Sequence, residues 1–279
     1  MISSEHVKSL IRLALSEDIG RGDCTTELLI DEDLTATAKV LIKQSARVAG
    51  LPVLRSVFQD LDGSVQVLAL AEEGQDVDAK TTVCELRGRA RSILTGERTA
   101  LNFLGRLSGI ATMTREAVQR LEDTKTRLLD TRKTTPGWRT LEKYAVRVGG
   151  GVNHRFGLDD MVLIKDNHIS LAGDVVTAIS RARLGPGLSQ KIEVEVDTLR
   201  QLQEALSTDV DLILLDNMDD DTMREAVRMT NGKVPLEASG NMTMERLRSV
   251  AMTGVDYVSM GALTHSAVSV DVGLDITFE

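Results

Sequence analysis

The chain has 279 residues, 42% of them hydrophobic and 27% charged, with a net charge of −9. Those figures describe an ordinary soluble globular protein of one large or two modest domains. No apolar run approaches the ~20 residues of a membrane-spanning helix, and aromatics, at 3%, are too few for a base-stacking platform. The first eight residues are polar, unlike a secretory signal, so a cytoplasmic protein with no membrane partner is expected. Cys24 and Cys84 are far apart and read as two free thiols of a reducing compartment.

Charge is unevenly spread. Residues 85–165 hold 16 Lys and Arg against 9 Asp and Glu, or +7. The rest holds 17 bases and 33 acids, or −16. One basic segment in an acidic chain points to a local site for small anions and argues against a nucleic-acid surface.

Helical spacing of Val7, Leu10, Ile11, Ala14 and Leu15 predicts a helix over 4–18, capped by Ser3 or Ser4 and ended near Gly20. Strands are expected over 35–43, 65–71 and 81–90, with a short helix after Pro52. The N-terminal third is thus an α+β unit. Leu94, Leu101, Leu104 and Leu107 share one helical face, and Gly96, Gly105 and Gly109 permit close packing. The domain junction is placed there, giving an N-terminal sandwich over 1–107 and a barrel over 108–266, with the tail 267–279 free to return to the first domain.

Beyond Leu128 the chain becomes rhythmic. Apolar runs at 128–130, 161–165, 192–196, 212–216, 234–239 and 257–261 alternate with helical stretches at 173–183, 198–206, 219–229 and 243–252. Such βα repeats predict an open α/β barrel of about six or seven parallel strands, whose site lies at the C-terminal strand ends. The polar residues stand at those ends: Arg132, Lys133, Lys165, Glu195, Asp216, Ser239 and Gly261.

Four cations, Arg132, Lys133, Arg155 and Lys165, therefore surround the expected site, with His154 beside a triple glycine, Gly149-Gly150-Gly151. Arginine holds carboxylate or phosphate by paired hydrogen bonds, and lysine acts as a point charge. His154 reads equally well as a substrate contact or as a structural residue. His168 is expected to orient a loop with Asp166 and Asn167. Glu193 and Glu195 alternate with apolar residues and so face one side. Glu195 and Asp216, on neighbouring strands, can hold Mg²⁺ or neutralise Lys133 and Lys165. Ser239-Gly240 and Gly261 end the last two strands, where barrels often bind phosphate.

Taken together, Glu17-Asp18-Ile19-Gly20, Gly96-Glu97-Arg98-Thr99, Thr131-Arg132-Lys133-Thr134-Thr135-Pro136-Gly137, the segment 149–155, Leu163–His168, Leu215-Asp216-Asn217, Glu237-Ala238-Ser239-Gly240 and Gly261–Ser266 span nearly the whole chain. The sequence resembles the quinolinate phosphoribosyltransferase family. That resemblance implies transfer of ribose 5-phosphate from phosphoribosyl pyrophosphate to quinolinate with decarboxylation, giving nicotinate mononucleotide. By the same resemblance, Arg98, Arg132, Thr134, His154, Arg155 and Lys165 bind quinolinate, and Lys133 and Lys165 lie between the substrates. Glu195 and Asp216 serve ribose and Mg²⁺, while Ser239, Gly240, Gly261 and His265 take the 5′-phosphate. It implies a homodimer, and allows a higher oligomer, in which Arg98 enters the partner's site. Two departures from the family pattern stand out: Trp138 replaces an aliphatic residue, and Asn241 a common glycine. A paralogue acting on another acceptor is the alternative, and a non-catalytic sugar-phosphate-binding barrel would be expected to have lost Lys133, Glu195 or Asp216.

Overall fold

A computed structural model describes residues 4–185 and 190–278. The first helix, α1 (Glu5–Ile19), starts where Ser4 accepts the Val7 amide and buries Val7, Ile11 and Leu15. Helix α2 (Cys24–Leu29), absent from the sequence reading, is capped by the Asp23 carboxylate. It buries Thr26 alone, so no apolar period reveals it. Strand β1 (Thr35–Ile42) alternates, burying Ala36, Ala38, Val40 and Ile42. There follow β2 (Ala46–Arg47), α3 (Leu51–Leu61), β3 (Gln66–Ala69), β4 (Asp76–Val77) and β5 (Thr81–Arg89). No side chain caps α3 from position 50. Glu73 instead accepts the Gly50 and Leu51 amides, satisfying N–H groups that a helix start leaves open.

Next come α4 (Ala90–Gln119), β6 (Arg127–Leu129), α5 (Arg139–Val148), β7 (Val162–Ile164), α6 (Asp166–Ala172), α7 (Val175–Arg183), β8 (Ile192–Val196), α8 (Leu199–Ala205) and β9 (Leu212–Asp216). The chain continues through α9 (Asp220–Thr230), β10 (Leu236–Ser239), α10 (Leu247–Ala251), β11 (Tyr257–Ser259), α11 (Ala262–His265) and β12 (Val272–Phe278). Among the described residues no helix is long and apolar enough to cross a membrane. Both cysteines are free thiols, and burial pushes Cys84 up to about 12.

The chain divides into two compact units. The first holds residues 1–115, 135–150 and 266–279. Its sheet runs β12-β1-β5-β3, with antiparallel pairings, and the C-terminal tail supplies the edge strand. The division falls between residues 115 and 116, inside the unbroken α4, the helix on which the sequence reading places the junction at 107. Residues 135–150 also differ from that reading: they group with the first unit. Arg106 on α4 pairs with the buried Glu142 on α5 at 2.8 Å, and Trp138 stacks on Phe103 with centroids 4.8 Å apart. That stacking accounts for an aromatic residue at 138.

The second unit, residues 116–134 and 151–265, is the expected α/β barrel in open form. Its six strands run β6-β11-β10-β9-β8-β7, all parallel. Ile192, Val194 and Val196 are buried on one face of β8, and the acids Glu193 and Glu195 occupy the other. The stretch after Lys165 is a helix rather than the expected loop. His168 stands in its first turn and accepts the Lys165 amide through Nδ1.

The three α4 glycines serve packing within the chain. A Cβ at Gly96 would lie 2.7 Å from the Phe58 ring, one at Gly105 would lie 2.7 Å from the Val270 carbonyl, and one at Gly109 would lie 2.1 Å from the Val268 carbonyl. Backbone cannot yield there as a flexible side chain can. Gly109→Ala is therefore expected to destabilise the protein by about 2–3 kcal/mol, read as a lower urea midpoint; an unchanged midpoint would contradict the close approach.

Candidate active site

A cleft of about 580 Å³ opens in the second unit. Four strands each bring two residues to it, two positions apart, because alternate side chains share a face. The deeper row is Leu163, Glu193, Leu214 and Glu237. The outer row is Lys165, Glu195, Asp216 and Ser239, at or just beyond the strand ends. All but Glu193 line the cleft.

In the outer row, Lys165 Nζ lies 3.1 Å from Glu195 Oε2. Burial raises the Glu195 pKa; Lys165 pulls it down and the Asp216 charge pushes it up again. Asp216 accepts a hydrogen bond from Asn217 Nδ2 at 2.7 Å. Gly240 has φ +94, and a Cβ there would fall 2.2 Å from Asn217 Oδ1, so both backbone and space require glycine. Asn241 has φ +47. Asparagine is among the few residues with a side chain that adopt this region readily, which explains how it stands in for glycine.

The two glutamates of the deeper row are buried: Glu193 and Glu237 are 0% and 1% exposed. His154 Nε2 lies 2.9 Å from Glu193 Oε2 and 3.4 Å from Glu237 Oε2, while Nδ1 accepts the Arg155 amide at 2.8 Å. Burial alone would lower the ring's pKa, but the two glutamates override it and raise it. Burial also pushes the Glu193 carboxyl up to about 7, against the pull of His154. The cluster keeps a proton that separate groups would release at neutral pH. These three side chains have the spacing of a metal-ligand set. An imidazole that accepts an amide at Nδ1, however, carries its proton on Nε2, between the ring and the carboxylates, where a cation would sit.

Asp130, fully buried at the end of β6, joins the two loops of the site. It accepts Asn153 Nδ2 at 2.6 Å and the His154 amide at 2.8 Å. Arg132 and Lys133 follow it along the chain and line the cleft with Arg155. Arg155 is buried; its Nη1 donates to the Met161 carbonyl at 3.1 Å, and its Nε finds no acceptor among the described residues. Burial first, and then the nearby Arg132 charge, lowers the Arg155 pKa.

The structure thus gathers Arg132, Lys133, His154, Arg155, Lys165, Glu195, Asp216, Ser239 and Gly240 around one cleft. Gly261 and His265 stand beside Lys133: a Cβ at 261 would lie 3.0 Å from Lys133 Cδ and 3.2 Å from His265 Nε2. Thr134 sits at the end of the Lys133 loop, its amide donating to the Arg132 carbonyl. Arg98 does not line the cleft; it is exposed on α4 in the first unit, beside a depression of about 200 Å³ formed with Leu101, Asn102 and residues 269–272. The sequence reading missed Asp130, Asn217 and Glu237. Glu237 was open to the alternation argument applied to Glu193 and Glu195, since it stands two residues before Ser239.

Models of the quinolinate phosphoribosyl transferase N-terminal and C-terminal domains match residues 23–108 and 110–275. A probable nicotinate-nucleotide pyrophosphorylase (carboxylating) of Bacillus subtilis is 44% identical over 97% of this chain and 93% of its own length. A protein of the same description from Synechocystis is 48% identical over 94% and 90%. The crystal structure of NadC from Streptococcus pyogenes superposes with a TM-score of 0.95 at 40% identity, covering 98% of this chain and 97% of that one.

The buried cluster predicts a pH dependence of stability. Burial lifts the Glu193 carboxyl from the ordinary 4.5 to about 7. The stability it lends is therefore complete at low pH and is lost as pH rises through about 7, by at most about 1.4 kcal/mol per pH unit per proton. Thermal midpoints should fall between about pH 4.5 and 7, and less steeply in Glu193→Gln; parallel curves would rule out the cluster as the cause.

Proposed function

Because the chain belongs to the quinolinate phosphoribosyl transferase family, we propose that it transfers ribose 5-phosphate from phosphoribosyl pyrophosphate to the ring nitrogen of quinolinate. Pyrophosphate leaves, the 2-carboxylate departs as carbon dioxide, and nicotinate mononucleotide is the product, a step of NAD biosynthesis. The observation that carries this reading is that Arg132 and Arg155 line one cleft together with Lys133 and Lys165. Two cations held together in a partly buried cleft favour a dianion. With His154 occupied by Glu193 and the Arg155 amide, its part is to fix the Arg155 backbone and to present its ring to the acceptor.

Lys133 and Lys165 act as point charges between the two anionic substrates, offsetting the negative charge that grows on the leaving pyrophosphate. Glu195 and Asp216 face the ribose, where positive charge develops. Ser239, Gly240, Gly261 and His265 take the 5′-phosphate. Mg²⁺ belongs to the same proposal, and the residues fit it. Glu195 and Asp216 offer hard oxygen donors on adjacent strands, and the Asp216 charge makes that of Glu195 costlier, which a divalent cation relieves. When bound, it would neutralise the pyrophosphate oxygens. A homodimer is also proposed, with Arg98 reaching the site of the other subunit, as is a cytoplasmic location.

Three outcomes test this reading. Quinolinate should yield nicotinate mononucleotide, by mass spectrometry, whereas nicotinate leaves a cation unmatched and should react at least 100-fold more slowly, on the order of 3 kcal/mol; equal turnover of both acids would sink it. Asp216→Ala should keep the fold, by circular dichroism, and lose most of its activity, and chelation should abolish turnover in the native protein. Arg98→Ala and Lys133→Ala homodimers should each be nearly inactive, and subunit exchange between them should restore activity by making one intact site per mixed dimer. Mixed dimers that stay at the mutant level would exclude a role for Arg98 across the interface.

A further inference from the structure

The Lys133 loop is short, with Lys133 exposed and Thr131, Arg132 and Thr134 half-buried. Within it, the Lys133 amide donates to Thr131 Oγ1 at 3.0 Å, and the Thr134 amide to the Arg132 carbonyl at 2.9 Å. These bonds shape the loop but do not fix it to the barrel. The Lys133 carbonyl is bound elsewhere. Thr264, fully buried, donates its hydroxyl to that carbonyl at 2.7 Å across 131 positions of sequence. Its contact with the Gly261 carbonyl is longer, at 3.2 Å. Gly261 backs the same lysine from the side, since a Cβ there would press on Lys133 Cδ at 3.0 Å and on His265 Nε2 at 3.2 Å.

We infer that Thr264 is a positioning residue: its buried hydroxyl grips the Lys133 carbonyl, and, with the bare Gly261 backbone beside the lysine stem, sets where the ammonium group reaches. The inference rests on the proposed function, in which Lys133 acts on the phosphoribosyl donor and Gly261 and His265 take its phosphate. A specific consequence follows from the location. Gly261 and His265, proposed for the 5′-phosphate, flank Thr264 in chain and share the β11–α11 corner with it. The corner that takes the donor's phosphate thus also holds the lysine that acts on its pyrophosphate, so one end of the donor organises the group acting on the other. A valine at 264 keeps the shape of threonine and removes the hydroxyl, leaving the Lys133 carbonyl without its barrel anchor.

The test is a double-mutant cycle read by calorimetric affinity for phosphoribosyl pyrophosphate, which needs no turnover. Thr264→Val should weaken binding about fivefold or more in the native background and less than about twofold in Lys133→Ala, because coupled residues are non-additive. Thr264→Ser, which keeps the hydroxyl, should stay near native. Equal losses in both backgrounds, or none in either, would overturn the inference. Amide exchange of residues 131–134 in the unliganded protein tests the grip without any substrate. Exchange should accelerate in Thr264→Val and not in Thr264→Ser, and unchanged exchange would overturn the grip whatever the enzyme does. Native protein that fails to bind the donor would count against the proposed function instead, leaving exchange to decide the inference. Should Thr264→Val not fold, Thr264→Ala, which also removes the hydroxyl, takes its place in the same cycle and should show the same non-additivity with Lys133→Ala; additive losses would overturn the inference there too.

Discussion

The site depends on one constraint, the alternation of side chains along parallel strands, which sets an outer row of polar groups and a deeper row of leucine and glutamate on one face of the barrel sheet. Glu193 and Glu195 differ by two positions and share a direction, yet they meet different surroundings. Glu193, at the deeper position, is 0% exposed and bonds to His154. Glu195, nearer the strand end, keeps some contact with solvent and pairs with Lys165. The same step separates Glu237 from Ser239. A carboxylate in the deeper row can persist only if a proton or a donor meets it, because an unpaired buried charge costs several kcal/mol. In the outer row, water and arriving ligands can do that work.

The deeper row therefore supports the outer one. Asp130 fixes the backbone of the loop that carries Asn153 and His154, and His154 in turn fixes the Arg155 amide. Arg155 is thus held from its backbone side while its guanidinium stands near that of Arg132. Two guanidiniums in one cleft repel each other, a repulsion that Glu193 and Asp160 partly offset at Arg155. Such a site is set up for its ligand in advance, which is how a binding pocket limits the ordering cost of association.

Much of this was legible in the sequence. The strands at 192–196 and 212–216 were read to the residue, because each is a short run bounded by charge and followed by a capped helix. The cations and outer carboxylates followed from strand ends. Other features were less visible for physical reasons. Helix α2 buries one residue, and α6 begins at Asp166-Asn167-His168, which looks like loop chemistry until the His168 ring is seen to accept the Lys165 amide. The grouping of residues 135–150 with the first unit is set by Arg106 with Glu142 and by Phe103 with Trp138, pairs too distant in sequence for spacing to reveal. The α4 glycines were recognised as close-packing positions, but only coordinates show their neighbours to be α3 and the C-terminal segment.

The loops obey a different rule from the strands. Asn217, Gly240 and Asn241 all have positive φ and follow the ends of β9 and β10. Backbone in this region is costly for most side chains and tends to gather at functional sites. Here it brings the Ser239 carbonyl onto the Asn217 amide at 3.0 Å, and the Asn241 side chain onto Asn217 Oδ1 at 3.2 Å. Asn217 in turn donates to Asp216. A glycine at 241 would permit the same backbone path but could not supply that contact. The asparagine keeps the left-handed turn and adds a bond to the residue that orients Asp216, so the departure from glycine binds the β10 loop more firmly to the end of β9.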